Sequence, residues 1–129
     1  MTRYLVTSAL PYANGPIHFG HIAGAYLPAD VYVRYLKMAK GEENVLYVCG
    51  TDEHGVAITM KAEAEGSNYR DYVDKWHKEI GDLFNNFAIN FDIFSGTARC
   101  EFHKEASQKF FQVLLDNDFI TKRTEQQWF

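Results

Sequence analysis

Three short apolar runs along the chain predict β-strands, at residues 4–8, 44–50 and 90–94. The second run (N-V-L-Y-V-C-G) is apolar almost without interruption, which is typical of a strand buried on both faces of a parallel sheet. The first run is followed by a loop rich in proline and glycine, at residues 11–16. The pattern therefore predicts short strands separated by long connections.

Apolar residues elsewhere recur at three- and four-residue spacing, which predicts amphipathic helices. The predicted helices span residues 19–40, 56–65, 69–87 and 101–116. Glycines at positions 41 and 66 end the first two helices, and Pro28 predicts a kink or a restart within the first. Asn68 is the predicted N-cap of the third helix, whose aromatic stripe is interpreted as core. The fourth helix also carries an apolar stripe, from Phe102 to Leu114.

The alternation of strands and helices predicts an α/β fold with right-handed crossovers in a parallel sheet. Ligands in such sheets bind beyond the carboxyl ends of the strands. Two polar segments lie at these ends, residues 9–21 after the first strand and residues 51–55 after the second. We therefore expect these two segments to meet at one crevice.

Composition narrows the class of protein. The chain has 129 residues, of which 47% are hydrophobic, enough to build the core of one domain. Its net charge of −4 argues against a surface dominated by nucleic-acid binding. The two cysteines, Cys49 and Cys100, lack metal-site spacing and predict reduced thiols, with Cys49 buried in a strand. No signal peptide or membrane span is recognisable, so we expect a cytoplasmic protein without a membrane partner.

The segment P-Y-A-N-G-P-I-H-F-G-H, residues 11–21, carries the clearest chemistry. It brings His18 and His21 to a predicted strand-to-helix turn, with Gly20 between them. Backbone N–H groups at a helix start favour negative charge, glycine allows close approach, and imidazoles can donate hydrogen bonds to phosphoryl oxygens. The segment predicts a site for ATP phosphates in an enzyme that makes or attacks an adenylate.

Three sequence words carry a resemblance to a known family. The run T-S-A-L-P-Y-A-N-G-P-I-H-F-G-H resembles the HIGH signature of class I aminoacyl-tRNA synthetases. Together with G-A-Y-L-P-A-D and C-G-T-D-E-H-G, in that order, it is similar to the methionyl-tRNA synthetase family. The resemblance covers essentially the whole chain and implies the first half of a Rossmann-like catalytic domain over residues 1–129, ending just before the connective-peptide insertion.

The resemblance also implies roles for individual residues. His18 and His21 match the catalytic signature histidines that stabilise the ATP phosphates, and Gly20 matches the glycine that lets adenosine pack closely. Phe19 stands where the family usually has an aliphatic residue. Residues matching the methionine pocket are Ala9, Leu10, Tyr12 and Asp52, with Asp52 as the carboxylate that receives the substrate ammonium. His54 receives no firm role.

The implied activity is formation of methionyl-adenylate from methionine and ATP, followed by transfer to methionine tRNA. Mg²⁺ is expected to accompany ATP, and zinc is expected only in an insertion that this sequence lacks, so no residue here is assigned to a metal. The family's second signature, KMSKS, has no counterpart, because K-M-A-K at residues 37–40 lies at a predicted helix end. The isolated segment is therefore expected to be inactive.

Alternatives remain open at this stage. The chain could be a non-catalytic module of a split or truncated synthetase that holds methionine or adenosine, or another HxGH nucleotidyl transferase, although T-D-E-H-G counts against the latter. Asp52 and Glu53 could simply cap the next helix, and Tyr12 could be packing. His77 and His103 are interpreted as solvated helix residues, and Lys122 with Arg123 as surface charge.

Overall fold

The computed structural model describes residues 2–124, and the chain divides after Arg99 into two compact units. The first unit contains three parallel strands, β1 (Tyr4–Thr7), β2 (Val45–Thr51) and β3 (Ile93–Gly96), which lie in that order across one sheet. Its helices are α1 (Phe19–His21), α2 (Leu27–Lys40), α3 (Val56–Ala64) and α4 (Tyr69–Asn86). The predicted α/β fold with a parallel sheet is confirmed.

Pro28 interrupts the first long helical segment, as the sequence predicts. A five-residue π-helix, Ile22–Tyr26, separates α1 from α2, and the Leu27 N–H donates to the carbonyl of Ile22. Proline has no N–H to offer to the carbonyl four residues earlier, and its ring crowds that carbonyl. The wider turn relieves this conflict and lets the helix continue to Lys40.

The third strand lies a few residues later than predicted, at Ile93–Gly96 instead of residues 90–94. The reason is Asp92, whose carboxylate accepts a hydrogen bond from the Tyr47 N–H at 2.7 Å while its own N–H donates to the Tyr47 carbonyl at 2.9 Å. A side chain therefore replaces a main-chain acceptor at the start of the ladder, and regular strand pairing begins only after it.

The core of the first unit lies between the sheet and its helices. The larger buried cluster joins α2, α4 and β2 through residues that include Val33, Tyr47 and Phe84. A second cluster gathers Ala13 of the first loop with Ile58 and residues of α4. Cys49 is buried as predicted. At the start of α4, Asn68 accepts a hydrogen bond from the Asp71 N–H at 2.9 Å, which confirms the predicted N-cap.

The second unit contains α5 (Glu101–Asp116), at the predicted position. Its apolar stripe is exposed: Phe102 is 83% accessible and Phe110 is 67% accessible, and α5 has no buried residue. Within residues 2–124, no helix is long and apolar enough to cross a membrane.

Candidate functional site

The two polar segments meet beyond the carboxyl ends of β1 and β2, as the sequence predicts. Tyr12 and Asp52 pair as an isolated parallel bridge, so the loop after β1 runs alongside the segment that continues β2. Parallel strands direct their carboxyl ends to one edge of the sheet, which is the usual position of ligand sites in α/β folds. This arrangement brings two segments about forty residues apart in the chain into direct contact.

The paired histidines sit at the start of α1 and cap it. The Gly20 N–H donates to Nδ1 of His18 at 3.1 Å, and the His18 N–H donates to Nδ1 of His21 at 3.1 Å. The two rings lie 3.8 Å apart between centroids, and both residues are exposed. Each imidazole is thereby held by the main chain in a fixed orientation, although each still faces solvent.

The capping bonds also decide which ring nitrogen is free. A nitrogen that accepts a backbone N–H carries no proton, so a neutral ring at either position holds its proton on Nε2. Nε2 of His18 and of His21 can therefore donate to an oxygen of a ligand. Gly20 leaves little room for a side chain, since a Cβ there would lie 3.0 Å from Cε1 of His18.

A cavity of about 520 Å³ opens beside this loop. Four of the sequence-predicted site residues line it: Ala9, Leu10, Tyr12 and His21. The other three, His18, Gly20 and Asp52, are not among its lining residues. The cavity is large enough for a small ligand with apolar and polar parts.

Tyr12 has two roles that the sequence left as alternatives. It lines the cavity, and it also packs against the second core cluster. Gly55 lies directly against it: this glycine has φ +135°, and a Cβ at that position would overlap the Tyr12 hydroxyl. The position of the Tyr12 ring therefore depends on a glycine in the second polar segment.

Asp52 is half-buried and does not cap the next helix. Gly55 is the N-cap of α3, with no side-chain hydrogen bond to the helix start, so the capping interpretation of Asp52 and Glu53 is wrong. Among the described residues, the Asp52 carboxylate accepts one hydrogen bond, from the His54 N–H at 3.5 Å. This carboxylate is thus held loosely by the protein and can accept a cationic group.

Two polar groups at the cavity were not singled out by the sequence. Lys61 of α3 lines the cavity and donates from Nζ to the Asn14 carbonyl at 2.8 Å. The Asn14 side-chain oxygen is buried and has no hydrogen-bond partner among the described residues. The sequence around Lys61 gives no local signal that it lies at the cavity. It does so because the fold brings α3 beside the loop that follows β1.

Glu53 was also missed and is fully buried. Arg99 donates from Nε to its carboxylate at 2.7 Å, and the Ala98 N–H and the Thr51 hydroxyl donate at 2.9 Å and 2.8 Å. Burial acts to raise the pKa of the Glu53 carboxyl, but the Arg99, Ala98 and Thr51 hydrogen bonds together outweigh it and hold the pKa below its usual value. Glu53 is therefore a buried anion with a full set of donors.

His77 is not solvated, contrary to the sequence interpretation. Its side chain is only 19% exposed, its ring stacks on Phe94 at 5.0 Å, and Nδ1 lies 2.7 Å from the Thr51 hydroxyl. Since that hydroxyl donates to Glu53, it accepts from His77, so Nδ1 carries the proton. Burial and the nearby Arg99 charge lower the pKa of His77.

Burial also affects a phenol and a thiol near the cavity. It raises the pKa of Tyr26, which lines the cavity, to about 12, and the pKa of Cys49 to about 11. Both groups are therefore neutral at physiological pH and poorly suited to act as bases or nucleophiles. Within residues 2–124, no three His, Cys, Asp or Glu side chains cluster as metal ligands.

Comparison with protein families gives one match over nearly the whole chain. Residues 4–129 match the family of class I tRNA synthetases designated M. Among curated proteins, the methionine–tRNA ligase of Rubrobacter xylanophilus is 52% identical over 127 residues, covering 98% of this chain and 22% of the relative. The ligase of Thermococcus kodakarensis is 54% identical over 127 residues, covering 98% of this chain and 17% of the relative. The chain thus spans roughly a fifth of these relatives.

Solved structures show the same similarity. The Mycobacterium tuberculosis methionyl-tRNA synthetase in complex with methionyl-adenylate superposes with a TM-score of 0.79 at 28% identity, over 87% of this chain and 21% of that one. The LeuRS of Agrobacterium radiobacter K84, in a ternary complex with tRNA and LeuAMS, gives 0.77 at 20% identity, over 91% of this chain and 15% of that one. The latter similarity concerns the fold alone. The parallel sheet with its helices is therefore Rossmann-like, of the type found in class I synthetases.

Proposed function

This chain belongs to the class I tRNA synthetase family, group M, and on that basis we propose that it supplies the ATP site and part of the methionine pocket of a methionine–tRNA ligase. In this proposal residues 1–129 act as the N-terminal part of the catalytic domain. The observation that carries it is the Tyr12–Asp52 bridge, which joins the loop bearing the paired histidines to the segment bearing the carboxylate. This bridge supports the assignment of both signature segments to one site.

The histidine loop is proposed to hold ATP. His18 and His21 present Nε2 protons, and Gly20 keeps the surface beside them free of side chain. In adenylate formation an oxygen of the methionine carboxylate bonds to the α-phosphorus, the bond from that phosphorus to the β-phosphate oxygen breaks, and pyrophosphate leaves. Donors that are already oriented by the backbone stabilise the negative charge on the phosphoryl oxygens without having to reorganise. Mg²⁺ is proposed to arrive with ATP, bound to its phosphates.

The cavity wall is proposed to receive methionine. Ala9, Leu10 and Tyr12 offer apolar and aromatic surface to a thioether side chain, which is apolar and polarizable. Asp52 pairs with the substrate ammonium by a charge-assisted hydrogen bond, and the loosely held carboxylate is free to do so. Lys61 adds a positive charge at the cavity, next to the loop that holds the phosphates.

The later steps of the activity are part of the same proposal. The adenylate is proposed to react with methionine tRNA in the whole ligase, of which this chain matches 22% in the relative from Rubrobacter xylanophilus. A cytoplasmic location is proposed as well, on the basis of the similarity to methionine–tRNA ligases. No residue of this chain is assigned to zinc.

A chimera tests the proposal directly. In it, this chain replaces the matching segment of the relative to which it is 52% identical. We expect the purified chimera to catalyse methionine-dependent exchange of pyrophosphate into ATP, while the 129-residue chain alone shows no exchange. The replaced relative serves as the positive control, and a thermal unfolding transition shows that the chimera is folded.

Two outcomes separate the alternatives. A folded chimera that shows no exchange contradicts the proposed catalytic role. If the 129-residue chain nevertheless binds methionine in a calorimetric titration, the non-catalytic binding module is the better description. An Asp52→Asn variant of the chimera should raise the KM for methionine by about a hundredfold, since a charged hydrogen bond is lost from the substrate.

A further inference from the structure

Side chains at the end of β2 and in the segment that follows it alternate between two environments. Thr51 and Glu53 are fully buried, whereas Asp52 is half-buried and His54 is exposed. Successive side chains of an extended segment point to opposite sides. Asp52 and His54 therefore lie on the opposite side of the segment from Glu53, which points into the protein.

Every polar group of Glu53 has a partner. Its N–H donates to the Thr97 hydroxyl at 2.9 Å, and its carbonyl accepts from the Tyr69 hydroxyl. One carboxylate oxygen accepts from Thr51 and Arg99, and the other accepts from the Ala98 N–H. Glu53 therefore connects the end of β2 to the segment that follows β3, without using the sheet itself.

The surroundings are shaped for this carboxylate. A Cβ at Gly96, the last residue of β3, would lie 2.5 Å from Cδ of Glu53. Arg99 reaches the carboxylate with Nε and Nη2, and Nη2 also lies 2.9 Å from the Asp74 carboxylate on α4. The guanidinium therefore lies between two anions and is fixed from two elements. We call Thr51, Glu53, Ala98 and Arg99 the Glu53 clamp.

We propose that the Glu53 clamp positions Asp52 for the substrate ammonium, with Glu53 and Arg99 as positioning residues that do not touch substrate themselves. This inference rests on the proposed role of Asp52. Among residues 2–124, the Asp52 side chain has only a 3.5 Å hydrogen bond to hold it, so its location depends on the main chain that carries it. The bridge to Tyr12 holds the main chain of Asp52 itself, and the contacts of Glu53 hold the residue that follows it. Displacement of a binding group by a fraction of an ångström weakens the contact it makes in the complex.

The chimera provides the test. Glu53→Gln keeps the size of the side chain but removes the charge, and Arg99→Lys removes the planar fork while keeping the charge. We expect either variant to raise the KM for methionine by about tenfold and to leave the KM for ATP within about twofold. Glu63→Gln, an exposed glutamate of α3, is the matched control and should change neither constant.

A double-variant cycle separates positioning from general support of the fold. If Glu53 acts through Asp52, Glu53→Gln adds little to the rise in KM already caused by Asp52→Asn. Equal rises in the KM for methionine and for ATP, or additive effects of the two substitutions, overturn the proposal. An unchanged KM for methionine in folded Glu53→Gln overturns it as well.

Amide hydrogen exchange in the 129-residue chain gives a readout that needs no catalysis. Glu53→Gln should speed exchange at Asp52, His54 and Ala98 relative to Glu63→Gln, while amides in the middle of α4 stay protected. Unchanged exchange at these three amides contradicts the clamp. If the unsubstituted chimera is inactive but this local effect is present, the proposed function fails while the clamp itself stands, without a role in methionine binding.

Discussion

Asp52 is held beside Tyr12, in a parallel bridge, by two backbone hydrogen bonds to the residues that flank Tyr12. The Asp52 N–H donates to the Pro11 carbonyl at 2.8 Å, and the Ala13 N–H donates to the Asp52 carbonyl at 2.8 Å. The main chains that carry the aromatic wall of the cavity and the carboxylate proposed to bind the ammonium are therefore bonded to each other. A substitution that displaces either segment should therefore displace the other.

Gly55 offers a way to move Tyr12 without altering it. Gly55→Ala places a Cβ against the Tyr12 hydroxyl, at a φ of +135°. We expect the KM of the chimera for methionine to rise by about tenfold, because the ring has to leave its position on the cavity wall. Gly66→Ala is the matched control, since it has a φ of +66° and open space around it. Both substitutions strain the backbone, at Gly66 by about 1–2 kcal/mol and at Gly55, whose ψ is 155°, by about 1–3 kcal/mol. Only Gly55→Ala should change the KM. Equal KM values for methionine in the two variants would contradict the predicted effect of Gly55 on the position of the Tyr12 ring.

Gly20 tests the orientation of the histidine pair. A Cβ at this position would lie 3.0 Å from Cε1 and 3.1 Å from Nδ1 of His18, so Gly20→Ala should displace the ring and weaken the cap. We expect kcat/KM for ATP in the exchange reaction to fall by about tenfold, while calorimetric binding of methionine is unchanged. Gly24→Ala, with nothing within 4 Å of its added Cβ, should leave both measurements at the level of the unsubstituted chimera. A kcat/KM that matches this control would show that the orientation of the pair is unimportant.

His77 should make stability depend on pH. Its pKa in the folded chain lies below the usual value of 6.5, because burial and the Arg99 charge disfavour the protonated ring. As the pH falls through 6.5, the unfolded chain therefore takes up a proton at this residue before the folded chain does. The contribution of His77 to the free energy of unfolding is fully present above that pH and decreases below it. Urea unfolding of the 129-residue chain at a series of pH values measures this decrease. In His77→Gln the decrease between about pH 7.5 and about pH 5 should be smaller; an identical slope would rule out this contribution of His77.

Asp30 should contribute to the free energy of unfolding rather than to substrate binding. This carboxylate on α2 is buried, accepts from Nε of Arg34 at 2.5 Å and accepts from the Asn90 N–H at 3.2 Å. Asp30→Ala removes both contacts and leaves the Asn90 N–H without its acceptor, so we expect a loss of about 3 kcal/mol in the free energy of unfolding. The comparison is Asp82→Ala, which removes an exposed pair with Lys78 and should change stability little. Chemical denaturation measures the free energy of unfolding of both variants. Equal losses in the two would show that the burial of Asp30 is unimportant.

Local pattern was sufficient for most of the elements. The apolar run at residues 44–50 predicted β2, the stop at Gly41 and the cap at Asn68 were correct, and Pro28 marked the interruption that takes the form of a π-helix. These features depend on backbone sterics and on hydrogen bonds between residues close in sequence. The start of β3 depended on a longer-range contact, the Asp92 carboxylate at the Tyr47 N–H, and was predicted a few residues early.

The sequence alone determined the family, the α/β class and the expectation that the loop of His18 and His21 meets the segment of Asp52, because parallel strands bring their carboxyl ends together. Only the tertiary structure decided the partners of the residues between and around these motifs. Glu53 and His77 each gave no local signal of burial, since a charged residue in a polar segment and a histidine on an amphipathic helix usually face water. Glu53 is paired in its buried position by Arg99, from the segment that follows β3. His77 is covered by Phe94 of β3 and bonded to Thr51 of β2. Contacts across such distances in sequence arise from packing, which local periodicity does not encode.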